Sequence, residues 1–294
     1  MIKPTKPGKT NSDQIWTYEQ IVQKINLVKD VFKARGISLH HLSVLAQIFD
    51  KASILSKEWT AGERTDGWLD RLLAAAHAVR ISEAVVDAKD DEAARECFKR
   101  ISKDNMNLSE REQAQGKDSL WELELLSYFR RHGVSASMAE PDILVHTVSG
   151  DYPVACKKIN SDQGVENQIK KACKQLGSFC GHGVIALNID ETTPANVILA
   201  SQSCEEASDH LSKLLRDFKD RHVEAMQGAV KKGKCDGFVL SVTVLSDLEN
   251  SRPRFNNHVE MLCWNLSDGP ANARGRFQTF AKTLSSSIGP KGMS

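Results

Sequence analysis

Apolar positions recur at helical spacing through the first third of the chain. Ile21, Ile25, Val28 and Phe32 form one stripe, which Gly36 ends. Leu42, Leu45, Ile48 and Phe49 form a second, and Leu69, Leu72, Leu73, Ala76 and Val79 a third. Residues 92–101 predict a fourth, short helix. Period-two alternation is nearly absent here, so the region reads as all-α. Past the polar stretch 103–117 the rhythm changes. Residues 119–132 predict an amphipathic helix closed by Gly133, and 141–148 and 152–159 predict strands joined by a turn at Gly150 and Asp151. Residues 164–176 are helical again, 205–232 read as one long charged helix, and 274–284 as a terminal helix. Residues 183–189, 237–245 and 258–266 predict three further strands. Such an alternation predicts an α/β (α+β) fold behind the helical region. The expected division is a flexible basic tail over 1–14, a helical region over 15–115 and an α/β domain over 116–294.

Composition narrows the classes. In 294 residues, 40% hydrophobic and 26% charged is ordinary for a globular chain and excludes collagen-like or low-complexity proteins. No apolar run is long enough to cross a bilayer, and the basic, proline-bearing start lacks the apolar core of a secretory leader. Seven cysteines without a CxxC pair do not form a disulfide framework or a zinc site, so a reducing, cytoplasmic location is expected. With a net charge of +1, the molecule must hold any anionic partner through a local basic patch. Gly8-Lys9-Thr10 ends like a phosphate-binding loop, but the earlier glycine falls at Lys3 and no strand precedes it, which rejects that reading.

The stretch 121–175 carries the candidate chemistry. Glu122 sits on a helix, Asp142 follows Pro141 at the start of a strand, and Lys157 lies on the next strand, 15 positions on. A hairpin of that length can bring the carboxylate and the ammonium to one sheet edge. One or two carboxylates suffice for Mg²⁺ when substrate phosphate oxygens complete its shell, and a nearby lysine can orient water or stabilise developing charge.

Glu122, Pro141-Asp142, Ala155-Cys156-Lys157 and Gln175, in a helix–strand–strand–helix order, resemble the PD-(D/E)xK nuclease superfamily. The resemblance covers about residues 119–189 and implies a restriction-endonuclease-like mixed sheet flanked by helices. It further implies Mg²⁺- or Mn²⁺-dependent hydrolysis of phosphodiester bonds, usually in DNA. Asp142 would bind the metal, Lys157 would act on the attacking water, and Glu122 would support the metal or its water shell. Gln175 would steady the site, and the Cys156 carbonyl would be a further metal ligand. A role in bacterial or mobile-element defence would be an analogy of fold alone.

One departure matters: the family places an acidic residue where this chain has Ala155. Three readings stand. The chain is a disarmed variant; or a second carboxylate comes from Glu166, Glu124 or Glu140; or the site is degenerate and the fold is kept for binding. The chief rival function is therefore a catalytically silent nucleic-acid-binding or regulatory module. A third is an interaction scaffold whose helical region recruits a partner protein or a second copy of the chain.

Plainer readings apply to single residues. Glu122 and Glu124 lie two apart and cannot share a helix face, so Glu124 is expected on the solvated side. Lys157 and Lys158 point to opposite faces of their strand, so at most one is catalytic. Lys158, with the helix face of Lys170, Lys171 and Lys174, is a candidate phosphate-backbone contact, as are Lys231, Lys232 and Lys234 and the pair Arg252 and Arg254. His40, His41 and His182 read as surface or turn residues, since no histidine pair has metal-ligand spacing.

Overall fold

The computed structural model describes residues 17–195, 197–251 and 255–286. The expected basic tail and the pair Arg252 and Arg254 lie outside them. Four helices come first: α1 (Tyr18–Ala34), α2 (Val44–Ala61), α3 (Trp68–Asp87) and α4 (Arg95–Lys103). The first buries Ile21, Ile25, Val28 and Phe32, the whole predicted stripe, and starts in a capping box between Thr17 and Gln20. Helix α3 departs from its stripe. It buries Leu72, Ala75, Ala78, Ile81 and Val85, while Leu69 is exposed. Alanines outnumber leucines on its inner face because it packs closely against both α1 and α2.

Helix α5 (Gln115–Arg131) leads into a meander of β1 (Ala136–Met138), β2 (Ile143–Thr147) and β3 (Gly150–Lys158). Gly150, at φ 108°, supplies the positive backbone angle after the two-residue turn Val148-Ser149. Helix α6 (Val165–Phe179) then crosses over to β4 (Val184–Asn188), which runs parallel to β3. Gly183 makes that entry possible, because a Cβ there would sit 2.5 Å from the Pro153 carbonyl oxygen.

After the short β5 (Leu199–Ser201), α7 (Cys204–Arg221) and α8 (Val223–Lys231) replace the single long helix that the charge pattern predicts. The break falls at His222, whose φ of −113° leaves the helical range. Strands β6 (Gly237–Leu248) and β7 (Phe255–Trp264) and helix α9 (Ala271–Ser286) complete the chain. The mixed sheet has the order β1-β2-β3-β4-β6-β5, with β7 antiparallel on the other edge of β6.

The sheet divides the interior in two. One hydrophobic cluster joins α1–α5 to the face carrying Val154, Cys156, Val184 and Ala186. The other joins α6, α7 and α8 to the face carrying Ala155, Ile185 and Leu187. The first cluster runs without interruption from Ile21 across α5 to Phe280 of α9. Among the described residues, no helix is long and apolar enough to cross a membrane.

Candidate functional site

The edge where β2 enters the sheet collects Asp142, Lys157 and Gln175. The β2–β3 register pairs Ile143 with Val154, so one step further sets Asp142 opposite Ala155. Asp142 Oδ2 accepts the Cys156 backbone N–H at 2.7 Å and lies 3.4 Å from Lys157 Nζ. Gln175 Nε2, from α6, donates to Asp142 Oδ1 at 3.0 Å and to the Pro141 carbonyl at 2.6 Å. One amide group thus ties a helix to two consecutive residues of the site. Lys157 Nζ also donates to the Cys156 carbonyl at 2.6 Å. From the opposite side of the sheet α5 contributes Glu122, whose Oε2 accepts from Cys97 Sγ at 3.4 Å.

The electrostatics of this group are unsettled in a specific way. Burial pushes the Glu122 carboxyl up to about 7, and the neighbouring Asp142 charge adds to the rise. Burial also raises Asp142, against the pull of Lys157, the Cys156 N–H and Gln175. Two carboxylates therefore share a site that one ammonium does not neutralise. Burial likewise raises the Cys97 thiol to about 12, which keeps it a neutral donor to Glu122.

Directly behind lies a second charge cluster. Arg80 of α3 pairs with both Glu124 and, at 2.6 Å, Asp190 Oδ2. Lys158 Nζ donates to Asn188 Oδ1 at 3.1 Å and sits 3.8 Å from Asp190 and 3.6 Å from Glu191. Asp190 Oδ1 accepts from Asn188 Nδ2 and from the Thr243 backbone N–H. Although burial works against it, Arg80 and Lys158 hold the Asp190 carboxyl below the ordinary range. Two expectations are corrected here. Glu124 is not on a solvated face, because Arg80 draws it inward; and Lys158 is buried among acids, out of reach of a phosphate backbone.

Other candidates are scattered. Ala155 is fully buried within the aliphatic cluster of α6, β3 and β4. Glu166 is exposed on the first turn of α6 and pairs with Lys170 at 2.8 Å, and no contact links it to Asp142. Lys170, Lys171 and Lys174 are exposed. Lys170 and Lys174 line a cleft of about 900 Å³ between α6 and α8, together with Arg221, Lys232 and Lys234. Asp162, Glu166 and Glu224 share that cleft. A more apolar cavity of about 600 Å³, between α1–α3, α5 and β6–β7, is lined by Trp59, Trp68 and Trp121, and Asp142, Lys157 and Gln175 take no part in it.

Sequence reasoning passed over Asp118. It lies one helical turn before Glu122 on α5, and burial raises its carboxyl against the nearby charges of Lys158 and Lys157. The i,i+4 spacing from Glu122 was the available signal. The donors on offer at this edge are oxygens: the Asp142 and Glu122 carboxylates and the Cys156 carbonyl, a set suited to a hard divalent cation. Among the described residues, no three His, Cys, Asp or Glu side chains form a ready-made cage.

No protein family, curated protein or solved structure matches the chain.

Proposed function

We propose that the chain is a metal-dependent nuclease of the PD-(D/E)xK kind, acting on phosphodiester bonds, with DNA the expected substrate. The observation that carries this reading is the convergence of Glu122, Asp142, Lys157 and Gln175 on one sheet edge. The topology supports it: a helix, a three-stranded meander, a crossover helix and a parallel strand follow one another in the order that this reading expects. Asp142 and Glu122 would hold Mg²⁺ or Mn²⁺, which supplies Lewis-acid polarisation of the phosphate and a more acidic bound water.

Each residue has a task that its surroundings favour. Gln175 and the Cys156 N–H take one Asp142 oxygen each and keep the carboxylate aimed at the edge. Lys157, held by Asp142 and the Cys156 carbonyl, presents an ammonium to charge developing on the phosphate. Glu122, poised near neutrality, can hold or release a proton at its carboxyl as the local charge changes. Asp118 is the further carboxylate assigned to make up for Ala155, since the charges of Lys158 and Lys157 both act on it, whereas Glu166 and Glu124 are engaged elsewhere. The α6–α8 cleft, with Lys170, Lys174, Lys232 and Lys234, supports tracking of a phosphate backbone.

A second reading, a catalytically silent nucleic-acid-binding module, is favoured by one observation: Ala155 packs as an ordinary core residue. The test is cleavage of supercoiled, linear and single-stranded DNA and of RNA in Mg²⁺ and Mn²⁺. The chain itself is compared with Ala155→Glu and with both carrying Lys157→Ala. Cleavage that vanishes with Lys157 is the expected result. If neither the chain nor Ala155→Glu cuts any substrate in either metal, the enzymatic reading fails and salt-dependent binding becomes the function to measure.

A further inference from the structure

A second reactive arrangement lies away from Asp142, where α7 packs on β7, and it does not depend on the nuclease reading. Cys204 is the first residue of α7 and is half-buried behind the capping residue Ser203. Its sulfur lies 3.7 Å from His258 Nδ1. His258, on β7, is fully buried, and its Nε2 lies 2.9 Å from Ser208 Oγ, one turn along α7 from Cys204. Ser208 and Ser212 stand beside the Glu260 carboxyl, which is buried two residues along β7 on the His258 face.

The direction of these bonds follows from what each group can do. The Ser208 hydroxyl can donate or accept, and the carboxyl beside it favours a hydroxyl proton turned away from His258. In that arrangement the Ser208 oxygen accepts from His258 Nε2–H. A neutral imidazole protonated at Nε2 carries its lone pair at Nδ1, the nitrogen that faces Cys204. Thiol, base and a base-orienting pair therefore stand in sequence, the arrangement that activates a nucleophile. Charge developing on the sulfur also meets the amide end of the 18-residue helix α7.

We propose that Cys204 is a nucleophilic thiol, the point at which this chain covalently takes up small, uncharged α,β-unsaturated carbonyl compounds. His258 Nδ1 takes the thiol proton and the sulfur adds to the β-carbon. The electron pair of the carbon–carbon double bond moves to the α-carbon, which receives the proton back from His258. No group leaves and nothing else is consumed. Glu205 and Glu206, exposed on the first turn beside Cys204, disfavour anionic electrophiles.

The test treats the full chain with acrylamide near neutral pH and follows each cysteine by peptide mass spectrometry. Cys204 is expected to react about tenfold faster than Cys180, an exposed thiol on a loop. Iodoacetamide should outpace iodoacetate at Cys204 by more than at Cys180. His258→Gln removes the base, and Ser208→Ala keeps the imidazole while freeing its orientation; each should bring Cys204 down to the Cys180 rate. A thermal melt of Ser208→Ala confirms folding where the buried His258 change disturbs it. The proposal is overturned if Cys204 reacts no faster than Cys180, or if a folded Ser208→Ala reacts as fast as the parent.

Discussion

Lys157 and Lys158 are neighbours on one strand, and their surroundings differ in kind. Lys158 points into a closed cluster in which Arg80, Glu124, Asp190 and Asn188 satisfy one another. Lys157 points to an edge where two carboxylates compete for it and one of them, Glu122, titrates near 7. The closed cluster has the character of a brace, because its charges are paired and hidden. The open one has spare charge, and spare charge at a sheet edge is what a ligand can use.

Breaking the brace should have the largest effect on stability. Arg80→Ala leaves Glu124 buried without its ion-pair partner and Asp190 with Lys158 alone, and urea unfolding should show a loss of about 3–5 kcal/mol. Lys158→Met removes a cation shared by Asp190 and Glu191 and should cost about 2–3 kcal/mol by the same measurement. Lys157→Met at the open edge should cost no more than about 1 kcal/mol, while abolishing any cleavage. Equal losses for the two lysines would erase the contrast.

A pH series sharpens it further. The Glu122 carboxyl is raised from 4.5 to about 7, so the fold holds a proton that the unfolded chain releases between those values. Its contribution is complete below about pH 4.5 and is lost as the pH rises through 7, an upper bound of about 3 kcal/mol. Relative to Glu122→Gln, the parent should lose stability over that window. Asp142→Asn should shrink the difference, because it removes the like charge beside Glu122. The smallest effect on stability belongs to the cleft. Lys170→Ala with Lys174→Ala should change unfolding by about 0.5 kcal/mol or less, yet flatten the salt dependence of any DNA binding.

Local features were legible in the chain and distant pairings were not. The α1 stripe follows from spacing alone, as do the strands around Gly150. Strands β1 and β5 escaped because three residues carry no readable alternation. At the site, Glu122, Asp142, Lys157 and Gln175 could be named because residue type and order together are restrictive. The partners of Arg80 lie 44 and 110 positions away, and no local pattern announces them. Helix geometry alone therefore assigns Glu124 to solvent, and a tertiary ion pair overrides it.

The hydrophobic cluster that runs from Ile21 through α5 to Phe280 has a consequence for dividing the chain. The loop before α5 is stapled down as well, by Lys117 to the Glu110 and Glu112 carbonyls and by Arg111 to Thr193 and Pro194. A protease nick within that loop should leave two polypeptides that co-elute as one particle, and two halves expressed apart should reconstitute each other, as a split reporter does.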